Sequence, residues 1–147
     1  MSPERRTVGG RFLRAAWGVR TMATTGAGYK PVEYHNGTVW PHDNSLIAAG
    51  LAQYGRHDAA ARIADDTVCA AGFFDHRLHP TASSPQAWAA GAVLLLLTTV
   101  LGLAPASSGV GADPHLPGDF GDVTLSGIHG PDGRVDAEAS GAAHAVT

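Results

Sequence analysis

YHNGTVWPHDNSLIAAGLAQYG, residues 34–55, is the stretch on which the fold turns. Its first half packs Tyr34, His35, Asn36, Trp40, His42, Asp43 and Asn44 around Gly37 and Pro41. Its second half is apolar at helical spacing and ends on a glycine. Pro31 and Pro41 break helices and Gly37 permits unusual backbone angles, so residues 29–42 read as a loop. A first helix is predicted from about Asp43 to Tyr54. Asp43 or Asn44 would cap it by accepting a main-chain N–H. Leu46, Ile47, Leu51 and Tyr54 would line its packed side, and Gly55 would end it.

A second helix is expected over about 58–73, capped by Asp58, with Ala60, Ile63, Ala64, Thr67 and Ala71 as a narrow contact face. The link Gly55 to His57 is so short that the two helices must form an antiparallel hairpin. Ser84 followed by Pro85 is a helix-start signature, a hydroxyl cap before proline at the first helical position. The third helix then runs to about Leu101, with Gly102 at its end. Its stretch AWAAGAVLLLLTTVLGL, residues 87–103, has no charge. It lies at the short limit for a bilayer span and no basic cluster flanks it, so a helix buried on every side is expected.

Residues 1–28 are polar and rich in Gly and Arg, with an apolar patch at Phe12, Leu13, Ala15, Ala16 and Trp17. They read as irregular, with room for one helical turn. Residues 29–105 form the helical domain. Residues 106–118 are small and polar, a linker. Residues 119–139 read as a β-hairpin around Gly130-Pro131-Asp132-Gly133, and 140–147 as a disordered tail.

The 147 residues, 44% apolar and 16% charged, suit one packed domain. The net charge of −3 argues against nucleic acid as a partner. Cys69 is the only cysteine, which excludes an intrachain disulfide and fits a reducing compartment. No apolar leader core begins the chain, and a cytoplasmic location is expected.

His35 and His42, or His76 and His79, are conceivable metal ligands, but no cysteine or carboxylate cluster completes a zinc site. Hydrogen-bonding histidines are the simpler reading, and neither metal nor cofactor is expected. Asp43 fits both a helix cap and a catalytic carboxylate. Cys69 and Trp88 read as core. Trp40 sits in a polar loop, where an indole beside Asn, His and Asp is the mixture that sugar binding needs. The ring stacks on an apolar C–H face while the polar groups bond hydroxyls.

Two stretches carry a family resemblance. GYKPVEYHNGTVWPHDNSLIAAGL, residues 28–51, resembles the segment GY-x-P-x-x-YHNG-S/T-VWPHDN-x-LIAAGL of glycogen-debranching-enzyme-like proteins. These are the amylo-α-1,6-glucosidase group, with a mannosylglycerate-hydrolase-like catalytic domain. SSPQAWAAGAVLLLL, residues 83–97, is similar to that group's CSPQAWAAGA helix. WGVRT, residues 17–21, looks like its GWGIRTL approach, and residues 114–135 look like the strand pair after its barrel.

The resemblance implies a mainly α fold, the C-terminal portion of an (α/α)6 barrel followed by a short β-hairpin. It implies an inverting glycosidase acting on an α-linked glucose oligosaccharide or glycogen-like glucan. Such enzymes use a carboxylic acid and a carboxylate roughly 6.5–9.5 Å apart, leaving room for the attacking water. Carried over by motif, Tyr34, His35, Asn36, Trp40, His42 and Asp43 would line the sugar-binding end, with Gln86 and Trp88 opening the supporting helix. Relatives carry the general-base glutamate in an LPELF-G stretch before PVPYP and SPQAW. Here Arg77-Leu78 runs into His79-Pro80, and no glutamate lies between Glu33 and Glu138. Asp43 and Asp75 are the remaining candidates.

The resemblance therefore implies the C-terminal end of such an enzyme, inactive alone, with the general acid upstream. The alternative is a non-catalytic carbohydrate-binding or structural helical remnant. Self-association through the apolar helix would follow if its partners are missing.

Overall fold

The computed structural model describes residues 14–15, 18–31, 33–71, 87–107, 109–116 and 120–141. Three helices and three two-stranded antiparallel sheets follow one another along the chain. β1 (Arg14–Ala15) pairs with β2 (Gly18–Val19). The helices are α1 (Pro41–Gln53), α2 (His57–Ala71) and α3 (Ala87–Val100). β3 (Ala104–Ala106) pairs with β4 (Gly109–Gly111), and β5 (Asp122–Gly130) with β6 (Gly133–Ser140). The helices pack as an open group, and no ring closes among the described residues. The fold is thus mixed, helices with small antiparallel pairs, and the six-hairpin barrel stays an expectation of the resemblance.

α1 begins two residues before the predicted start. Pro41 occupies its first turn, where a missing N–H costs nothing and φ is already helical. Trp40 is the extended residue at its N-cap and makes no side-chain cap. The expected Asp43 or Asn44 cap is therefore absent. Asp43 lies inside the first turn, where the helix dipole favours a negative charge. Asn44 turns back onto Trp40 O at 2.8 Å. At the other end Gly55 N–H donates to Ala52 O at 2.9 Å and Arg56 N–H to Leu51 O at 2.8 Å. This paired ending lets the chain reverse directly into α2. α3 ends in the same way, with Gly102 N–H on Thr99 O and Leu103 N–H on Thr98 O.

The core is small-residue packing between the three helices. Ala48 and Leu51 of α1, Ala60, Ile63 and Ala64 of α2, and Leu96 and Val100 of α3 form one buried cluster. The α2 face follows the predicted register at Ala60, Ile63, Ala64 and Thr67, while the side chain of Ala71 lies outside the described residues, as does that of Cys69. The α1 face follows the predicted register in part, with Leu51 buried and Ile47 packed against the core. Leu46 and Tyr54 are exposed, while Asn44, Ser45 and Ala48 are buried. α1 lies against α2 and α3 together, and Ala48 and Leu51 are the α1 side chains buried at that junction. α3 is also not buried all round. Ala92, Leu96 and Val100 face the core, whereas Val93 and Leu94 are open to solvent, because among the described residues neighbours cover one side only. No helix among the described residues is long and apolar enough to cross a membrane.

Two strand pairs depart from expectation. Residues 14–15 and 18–19 pair as strands rather than forming a helical turn. The expected linker 106–118 begins inside a tight hairpin, since Ala104–Ala106 pairs with Gly109–Gly111. The β5–β6 hairpin turns at Pro131-Asp132 as predicted, with a bulge between Leu125 and Ile128. It runs to Ser140, whose hydroxyl bonds Asp122 Oδ1, so strand structure enters the first residue of the expected tail. The Ser84-Pro85 cap, the 74–83 loop, Trp17, and residues 142–147 lie outside the described residues.

Candidate functional site

The loop before α1 is built against the approach segment. Arg20 bridges to Val39 as an isolated antiparallel pair. Thr21 N–H donates to Thr38 O at 3.0 Å, and Gly37 N–H donates to the Thr21 hydroxyl at 3.0 Å. Arg20 Nη1 donates to Gly37 O at 3.2 Å, and its guanidinium lies 5.6 Å from the centre of the Tyr29 ring. Gly37 holds φ +133°, and a Cβ there would run into the Tyr29 ring. A second tie reaches α1. Val19 N–H donates to Asn44 Oδ1 at 2.7 Å, and Asn44 Nδ2 donates to Val19 O at 3.1 Å. Gly18, at φ +120°, permits this approach, because a Cβ would stand 2.6 Å from Asn44 Oδ1.

Glu33 organises the outer bend. Its carboxylate accepts from Lys30 Nζ at 2.7 Å and from Asn36 Nδ2 at 2.5 Å. These bonds hold the Glu33 carboxyl below its ordinary range, the Lys30 bond first and the Asn36 bond second. The same bond raises Lys30.

Within this frame five of the predicted residues come together, Tyr34, His35, Trp40, His42 and Asp43, and α3 supplies a sixth, Trp88. Tyr34 meets His35 edge to face at 4.4 Å and Trp40 edge to face at 4.6 Å. Trp40 Nε1 donates to Tyr34 O at 3.1 Å, and the Thr38 hydroxyl donates to the same carbonyl at 2.8 Å. His42 lies edge-on to Trp40 at 5.4 Å and stacks on Trp88 at 4.5 Å with 25° between the planes. Its Nε2 is 3.1 Å from Asp43 Oδ1, while its Nδ1 is buried with no partner among the described residues. Asn36 bonds Glu33 instead of joining the rings.

The two indoles exchange the roles that their surroundings suggested. Trp40, in a polar loop, is 8% exposed and serves as packing beneath the site. Trp88, on an apolar helix, is 64% exposed. The loop fold turns Trp40 inward because its N–H finds the Tyr34 carbonyl, so burial leaves no unpaired donor. Asn44, read only as a cap, is a buried clamp between α1 and β2. Its signal in the sequence was an amide next to an aspartate already suited to the first turn.

The arrangement offers an imidazole carrying a half-exposed carboxylate, bordered by aromatic rings. That is equipment for binding and polarising a hydroxyl-rich ligand. No second carboxylate is bonded to this cluster among the described residues. Gln86, Asp75, His76 and His79 lie outside the described residues. No group of three or more His, Cys, Asp or Glu side chains that could hold a metal occurs among the described residues.

No curated protein matches the chain. Residues 5–91, which take in the approach segment, the loop, α1, α2 and the start of α3, match the mannosylglycerate hydrolase MGH1-like glycoside hydrolase domain. The match covers more than half of the 147 residues. With an aromatic, imidazole and carboxylate site inside the matched span, the chain belongs to the MGH1-like glycoside hydrolase family.

Proposed function

We propose that this glycoside-hydrolase-type chain acts on an α-linked glucose oligosaccharide or glycogen-like glucan, in the manner of the debranching amylo-α-1,6-glucosidase group. The observation that carries the reading is the cluster of Tyr34, Trp40, His42, Asp43 and Trp88 at the start of α1 and α3. It lies in the two sequence stretches that resemble that group. Asp43 is the carboxylate at hand, in the first turn of α1 and 3.1 Å from His42 Nε2. In the inverting scheme such a carboxylate either activates water or orders the sugar hydroxyls, and a second carboxyl group protonates the leaving oxygen.

That the cluster holds one carboxylate among the described residues, Asp43, favours a second reading, sugar binding without turnover. Incubation of the full chain with panose, maltotriose and mannosylglycerate, followed by product analysis, separates the two. Release of glucose from panose supports debranching-type hydrolysis. Binding of panose without products supports the binding module, and cleavage of mannosylglycerate alone would replace the glucan by another sugar.

A further inference from the structure

Trp88 has an exposure that packing does not explain. It sits in the first turn of α3, a helix without charges, and is 64% exposed. One face of its ring is nonetheless occupied, by the His42 imidazole at 4.5 Å. The ring is thus supported from behind and open in front. His42 is itself held in place, edge-on to the buried Trp40 and 3.1 Å from Asp43 Oδ1. Tyr54 is more exposed still, but no ring or carboxylate contact supports it among the described residues.

We propose that the outer face of Trp88 is a stacking platform for one pyranose ring of the substrate, with His42 as its positioning residue. This rests on the glycosidase reading and names the subsite within it. A supported ring presents a flat apolar face that a sugar's C–H groups can cover, and little freedom is lost on binding because the ring is already fixed. Asp43, half-exposed and tied to the same imidazole, accepts a hydrogen bond from a hydroxyl of the stacked sugar. The ligand class is a pyranose oligosaccharide with an unobstructed C–H face, such as a gluco-oligosaccharide.

The test is titration of the full chain with maltotriose, followed by NMR and by tryptophan emission. The wild-type chain is expected to bind and to protect tryptophan from acrylamide quenching. Trp88→Ala should weaken binding about five- to tenfold with an unchanged circular dichroism spectrum, and Tyr54→Ala should bind as the wild type does. His42→Phe, which keeps a ring behind Trp88, should retain more affinity than His42→Ala; equal losses would remove His42 from the proposal. Unaltered affinity in Trp88→Ala while the wild type binds would overturn the platform and leave the glycosidase reading standing. Absence of binding by the wild type, the chain being folded, would overturn both. A dimer that hides Trp88 from acrylamide without sugar would also overturn the platform.

Discussion

Asn44 of α1 satisfies both main-chain groups of Val19, accepting its N–H at 2.7 Å and donating to its carbonyl at 3.1 Å. A side-chain amide thus stands where a neighbouring strand would, and it is fully buried. Replacing it leaves both main-chain groups of Val19 short of this partner, while the Trp40 carbonyl keeps the main-chain N–H of residue 44. Asn44→Ala is expected to cost about 2–4 kcal/mol, from unpaired buried groups at roughly 1–3 kcal/mol each. Urea unfolding measures it, and a loss below about 1 kcal/mol would mean that water replaces the amide.

Gly18→Ala tests the same junction from the other side. The added Cβ meets Asn44 Oδ1 at 2.6 Å in a left-handed backbone region. The expected loss is about 1–3 kcal/mol, and it should shrink in an Asn44→Ala background, because the clash partner is gone. Additive losses in the double-mutant cycle would refute the coupling.

Gly37→Ala should disturb the site more than the core. The Cβ enters the Tyr29 ring and φ is +133°, so the turn that carries Tyr34 to Trp40 must shift. Maltotriose affinity should fall while the melting transition of the helices changes little. Unchanged affinity would show that the loop can re-form around the methyl group.

The Glu33 network gives a pH dependence of known sign. Its folded carboxyl titrates below the ordinary 4.5, held down by Lys30 and then Asn36. The contribution is therefore present above about pH 4.5 and is lost as pH falls through the lowered value. Lys30 behaves oppositely, its contribution present below 10.5 and lost as pH rises through its raised value. Carboxyl NMR shifts of Glu33 should show the low titration, and Lys30→Met should return it toward the ordinary range.

The exposed apolar side chains Leu46, Val93 and Leu94 predict self-association. Leu94→Glu should leave thermal stability within about 0.5 kcal/mol, as expected at an exposed position, and should shift sedimentation toward monomer. Identical sedimentation of the two proteins would assign the association, if any, to another surface.

The helices were legible because their ends are local. Gly55 and Gly102 close them with main-chain bonds that a short window contains, and the Gly130-Pro131-Asp132-Gly133 turn works the same way. The faces were less legible. Which side of α1 is buried depends on α2 and α3 together, so Ala48 displaced the larger Leu46 from the core. The chemistry of residues 34–44 could be read from composition, but its geometry could not. Trp40 turns inward through a bond to Tyr34 O, and Asn44 acts on a residue 25 positions away. Neither fact is contained in a local pattern.

The end of α3 has a consequence for how the protein responds to its solvent. The helix has no acidic residue in its first turn and no basic residue in its last. Its C-terminal end is met by main-chain donors, His115 N–H on Val100 O at 2.7 Å and Asp113 N–H on Gly102 O at 3.3 Å. Fixed peptide dipoles take the place that mobile counter-charges fill elsewhere. Added salt screens pairs of exposed charges and leaves such main-chain hydrogen bonds nearly untouched. The most apolar helix of the chain is thereby insulated from ionic strength, whereas the Lys30–Glu33 bend at the rim of the site is not.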